Sequence, residues 1–167
     1  MAIKKRVMVS VRKCVLYLSK VYVSGNTFAS LIGAVSNSGT NDLTINQFSK
    51  SDGTSPDPSK SHKSGRNGDL RYLRTDEGGS AVILGSPNVA VGRQNQLNNS
   101  LHLFGWKDMI SGRFNGGLLN HISSSKERGI KSDHSNHLHL QGYSPNVQVD
   151  YLGGTLPEVV VKPNNEQ

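Results

Sequence analysis

His134-Ser135-Asn136-His137-Leu138-His139 packs three of the chain's six histidines into six residues. Read as a β-strand, the segment puts His137 and His139 on one face, because side chains alternate with period two. Two imidazoles projected side by side from a rigid strand can meet one metal ion, or one ion and its water. His134 has the opposite parity and falls in the loop entering the strand, while Leu138 and Leu140 pack behind it. Two imidazoles do not complete a site, since catalytic zinc usually takes three protein ligands and a water. The rest of the chain must supply another ligand.

Ser61-His62-Lys63-Ser64-Gly65-Arg66-Asn67-Gly68-Asp69-Leu70 answers that demand. His62 and Asp69 stand seven positions apart, with Gly65 and Gly68 between them. Glycine permits the sharp turn that brings ligands from a loop and the following strand onto one ion. Leu70 to Leu73 then reads as a short strand leading away from Asp69. His62, Asp69 and His139 make an N,O,N set suited to zinc with a position left open for water. Ser61 and Arg66, in the same segment, are candidates to support the ligands or to bind substrate.

The two motifs together, H-x6-D with Gly65 in fourth position and H-x-x-H-x-H from His134 to His139, resemble the LAS group of zinc peptidases. That group takes in lysostaphin-type enzymes, D-Ala-D-Ala peptidases and the sonic hedgehog fold; the penicillin-insensitive murein endopeptidase branch looks closest. The likeness covers roughly residues 58 to 143, and either half alone would be weak. It implies zinc held by His62, Asp69 and His139, with His137 as catalytic base. It implies His134 as a residue behind the ligands or beside the substrate. The implied substrate is a peptide of bacterial peptidoglycan. Position 136 is Asn, so the glutamate base of the dipeptidase branch does not transfer. Many relatives carry an arginine before the first zinc histidine, where it steadies a developing oxyanion. None stands between Val21 and His62 here, and only Lys50 and Lys60 offer positive charge. Against a metal stands the commoner fate of polar histidine clusters, which is plain solvation; the joint occurrence of both halves outweighs it.

A chain of 167 residues suits one domain with extensions. Low apolar content, 34%, with abundant Gly, Ser and Asn points to long loops and short elements. One cysteine, Cys14, excludes an internal disulfide framework. No apolar run is long enough to span a bilayer. The net charge of +7 suggests nucleic acid until it is located. Six basic residues and no acid lie in residues 1 to 25; the remaining thirteen basic residues face all twelve acids. The body is therefore nearly neutral, and nucleic acid is not an expected partner. Lys4-Lys5-Arg6 before Val7 to Val11 invites a signal peptide, but Arg12 and Lys13 interrupt the run. Without a standard signal, action in the cell envelope implies phage lysis or delivery by a secretion system, with a delivery or immunity partner in the second case.

Residues 7 to 23 alternate as strands and, within a basic segment of residues 1 to 25, are expected to belong to the fold. Thr27 to Val35 reads as a helix or a buried strand. Residues 36 to 61 read as a long loop bordering the cleft. Ala81 to Leu84 reads as a strand, Ser86-Pro87 as a helix start. Leu97, Leu101 and Phe104 mark one helix face, ended by Gly105, with Trp106 in the core folding back on Leu101. His102 is expected in solvent and His121 in a loop within reach of the cleft. Residues 107 to 133 read as a polar connection, and 153 to 167 as a β-prone tail able to dock on a sheet edge. The assembled expectation is an α+β fold, hedgehog/DD-peptidase-like, with a mainly antiparallel sheet, one or two helices and a peptidase domain over residues 26 to 152. Its rival in another class is a non-catalytic binding module that keeps zinc for structure.

Overall fold

The computed structural model describes residues 15–16, 22–122 and 132–144. Over these described residues it is an α+β fold, with two α-helices and a five-stranded sheet. The elements are β1 (Val15–Leu16), α1 (Gly25–Ser38), β2 (Thr44–Gln47), β3 (Gly68–Leu70), α2 (Val91–Leu103), β4 (Trp106–Ile110) and β5 (Leu138–Tyr143). Sheet order is β1-β2-β3-β5-β4, parallel between β1 and β2 and antiparallel elsewhere.

The segment left open between helix and strand is helix α1. Ser24 caps it by accepting the Thr27 N–H at 3.3 Å, and Gly39 closes it at φ +68°, the left-handed conformation that glycine adopts without strain. Leu31, Ala34 and Val35 fall on its buried stripe. Gly33 lies so close to the Phe104 ring that a methyl group there would collide with it, which is how α1 approaches the end of α2.

Helix α2 buries Leu97 and Leu101 as expected, but Gln94 and Asn98 lie on the same buried face. Both carboxamides are satisfied. Gln94 accepts the Leu73 N–H and donates to Asn98, and Asn98 donates to the Asn120 carbonyl, each at 2.9 Å. The helix thus holds two loops by hydrogen bonds where a purely apolar face could not. Arg93 adds an ion pair to Asp42, just ahead of β2. Against the helices pack Ile45, Leu70, Met109, Leu138 and Leu140 in one core cluster. Full burial is worth about 1.5–3 kcal/mol for each such large side chain.

Several expectations need correction. Residues 36 to 61 are not all loop: Thr44–Gln47 form β2, with Leu43, Ile45 and Phe48 buried. The strand expected at Leu70 to Leu73 is Gly68–Leu70, so Asp69 sits inside it. Among the described residues Ala81 to Leu84 finds no strand partner; Val82 and Leu84 are buried from an irregular segment whose Leu84 N–H bonds to the Ser135 carbonyl at 2.7 Å. Ser86-Pro87 makes a turn, closed by Val89 N–H to Ser86 O, and α2 starts only at Val91. The connection from 107 opens with β4, whose first residue, Trp106, is fully buried with its ring 5.1 Å from that of Tyr143. Of the alternating N-terminal segment, Val15–Leu16 pair with β2 and Tyr22 bridges Ser49. The rest of that expectation, and the whole C-terminal tail, lie outside the described residues. Among the described residues no helix is long and apolar enough to cross a membrane.

Candidate metal centre

Strand pairing builds the centre. Gln47 of β2 is opposite Asp69 of β3, Asp69 is opposite His139 of β5, and His139 is opposite Ile110 of β4. One row therefore crosses four strands, carrying a carboxylate beside an imidazole. The neighbouring pair, Leu70 and Leu138, faces the core. A register slip of one residue would exchange the two rows and turn Asp69 or His139 into the apolar core; the leucines thus determine where the polar row lies.

His62 joins from the loop before β3. Its N–H bonds to Ser55 Oγ at 3.1 Å, and the chain then makes a 3-10 turn over Lys63–Gly65 with Ser64 at φ +55°. Gly65 is at φ +63°, and a β-carbon on it would lie 2.6 Å from Ser24 N, Tyr22 O and Val23 Cα. Glycine is needed there for both reasons: the turn lies directly on the segment entering α1, where Ser24 N–H bonds to Gly65 O at 3.2 Å.

His62 Nε2, Asp69 Oδ1 and His139 Nδ1 converge. The separations are 3.2 Å between the two nitrogens, 2.8 Å from Asp69 to His139 and 3.3 Å from Asp69 to His62. A tetrahedral ion with arms of 2.0–2.1 Å spaces its ligand atoms by about 3.3 Å, so the three atoms form nearly one face of such a site. These residues can hold a metal ion. Burial supports the reading: His62 is 1% exposed and His139 6%. Among the described residues His62 Nδ1, on the far side of the ring from the centre, has no hydrogen-bond partner. Burial pushes the Asp69 carboxyl upward, but hydrogen bonds from His139 and His62 outweigh it and hold the group well below the usual carboxylate range. It stays ionised, as a ligand must.

His137 precedes β5 with Nε2 3.6 Å from Asp69 Oδ1, beside the three-atom face. Burial is the main influence pushing its imidazole pKa down, with the Asp69 charge opposing. His134 ends a 3-10 turn, as expected for the loop entering the strand. Its Nδ1 bonds to Asp133 Oδ1 at 2.8 Å, and its ring lies 4.6 Å from that of His137 and edge-on to His139 at 5.6 Å. Three hydrogen bonds pin this turn: Tyr72 Oη–H and Gly112 N–H to the His134 carbonyl, at 2.8 and 3.1 Å, and Leu84 N–H to that of Ser135. The irregular segment around Leu84 thus helps to position the histidines.

The centre opens into a cleft of about 480 Å³ walled by Gln47, Pro58 and Ser61 on one side and Asp133, His134 and Gln141 on the other. Ser61 and His134 are brought to it; Arg66 is not. The turn at Ser64–Gly65 carries Arg66 to a separate cleft with Ser24, Asn26 and Tyr143. No Lys or Arg is among the described residues lining the metal cleft, and Lys50 borders another pocket. His121 is not at the cleft either: at φ +62° it stacks on His102 at 4.1 Å and bonds to Asn99 Oδ1 at 3.0 Å. Sequence reasoning missed Gln141, although it shares the parity of His139 on the same strand. Gln47 was hidden because its strand read as loop. No family model, curated protein or solved structure matches the chain.

Proposed function

We propose that the protein is a zinc-dependent peptidase acting on peptide bonds of bacterial peptidoglycan. The observation that carries the reading is the open three-ligand face of His62, Asp69 and His139 with a further imidazole, His137, beside it in a cleft. A purely structural zinc is closed by four ligands, whereas a catalytic one keeps a position for water. Zinc in that position supplies Lewis acidity, polarising a carbonyl and acidifying water. His137, neutral because burial lowers its pKa, takes the proton of the attacking water at Nε2 and passes it to the leaving amine. His62 and His139, nearly closed to solvent, keep bulk water from the inner side of the site. The choice of peptidoglycan, and with it the phage or secreted-effector setting, rests on the likeness of the two motifs to the LAS peptidases.

One observation favours a non-catalytic, zinc-stabilised binding module: no described Lys or Arg lines the cleft to steady an oxyanion. The two readings part at His137. On the peptidase reading, His137→Ala keeps zinc but loses ~10²–10⁴-fold in rate, measured as muropeptide release from purified sacculi with products identified by mass. Zinc-loaded wild-type protein that releases nothing from any sacculus type favours the binding module. Loss of zinc in His137→Ala means that His137 and His139 have exchanged roles.

A further inference from the structure

We propose that Asn136 is a positioning residue for His137: its side-chain carbonyl holds the imidazole in the Nδ1–H tautomer and aims the bare Nε2 at the metal corner. His137 Nδ1 lies 2.6 Å from Asn136 Oδ1. A carboxamide oxygen only accepts, so the proton of that bond belongs to the imidazole, and a neutral ring then has none left for Nε2. That Nε2 is the atom 3.6 Å from Asp69 Oδ1, the same oxygen that His62 and His139 approach. The neighbouring ring is held in the same way, but by a carboxylate. His134 gives its Nδ1 to the Asp133 carboxylate at 2.8 Å. An amide at position 136 orients its imidazole without adding a second negative charge beside Asp69.

The backbone under Asn136 is held independently of its side chain. The carbonyls of His134 and Ser135 are anchored by Tyr72, Gly112 and Leu84, and Asn136 itself is exposed. Its replacement therefore removes an orienting bond and little packing. The consequence for rate rests on the peptidase reading; the tautomer does not.

The experiment uses nitrogen-15 NMR of the imidazoles in the labelled full-length chain, run alongside hydrolysis by the zinc-loaded protein. Wild type should show a protonated Nδ1 and a bare Nε2 at His137. Asn136→Ala should shift the ring towards the Nε2–H form, and Asn136→Asp, which keeps an acceptor oxygen, should restore the wild-type tautomer. Outer partners of this kind typically contribute 10–100-fold. Asn136→Ala should therefore lose ~10–100-fold in kcat, with KM and zinc content little changed, and Asn136→Asp should recover most of it. A wild-type His137 protonated at Nε2, as a reversed amide would give, overturns the proposal, as does an unchanged tautomer in Asn136→Ala. The expected tautomers in a protein that hydrolyses nothing uphold the positioning role and remove the peptidase reading alone.

Discussion

Removal of His139 should abolish the stabilisation that zinc confers, while removal of His137 should leave it. His139 Nδ1 lies 2.8 Å from Asp69 Oδ1 and 3.2 Å from His62 Nε2, so His139→Ala leaves two donors for the ion. His137 Nε2 stands 3.6 Å from Asp69, outside that triangle. An ion that binds only the folded chain stabilises it by RT ln(1 + [L]/Kd), about 2.7 kcal/mol at a hundredfold excess over Kd. For a chain of this length 1 kcal/mol moves Tm by roughly 2–4 °C, so zinc should raise the wild-type Tm by about 5–11 °C. His139→Ala also strips a partner from a partly buried carboxylate and lowers the metal-free Tm. The quantity to compare is therefore the increment on adding zinc, by calorimetry, with zinc content from elemental analysis. The increment should persist in His137→Ala and vanish in His139→Ala. A wild-type increment and one zinc per chain in His139→Ala would refute the ligand assignment.

Gly65→Ala should destabilise the chain and weaken zinc binding together, because its β-carbon meets three backbone atoms of residues 22–24 at 2.6 Å; thermal melts with and without zinc read both effects. Ser24→Ala removes the cap of α1 and should cost ~1 kcal/mol in denaturant unfolding without altering zinc content. Burial pushes the Tyr72 phenol up to about 12. A raised folded-state pKa means stability fully present below the unfolded value of about 10 and lost as pH rises through the folded one. Ultraviolet titration should show one of the five tyrosines ionising late, with unfolding setting in over that window. Tyr72→Phe should remove the late step and, by taking away one of the two hydrogen bonds to the His134 carbonyl, cost about 1 kcal/mol.

The group that can hold an ion was legible because its chemistry is local: His137 and His139 stand two residues apart at the start of a strand, and Gly65 marks the turn that returns the chain to Asp69. The helix around Leu97 and Leu101 was legible for the same reason, its apolar spacing. What failed were elements whose identity depends on a distant neighbour. Thr44–Gln47 is a strand because β3 and β1 flank it, although its surroundings are rich in Ser, Asn and Gly. Ala81 to Leu84 has the composition of a strand but pairs with none among the described residues, and serves instead as an anchor for Ser135.

The sequence by itself thus determined which atoms can bind a metal and the order in which they occur along the chain. Only the tertiary structure decided which of them meet. Pairing of Asp69 with His139 is a matter of strand register, set by Leu70 and Leu138 seeking the core, and register is a property of two strands that neither carries alone. The same folding turned Arg66 away to another cleft and stacked His121 on His102. Proximity in sequence put Arg66 next to the motif; the positive-φ turn at Ser64 and Gly65 took it out of the site.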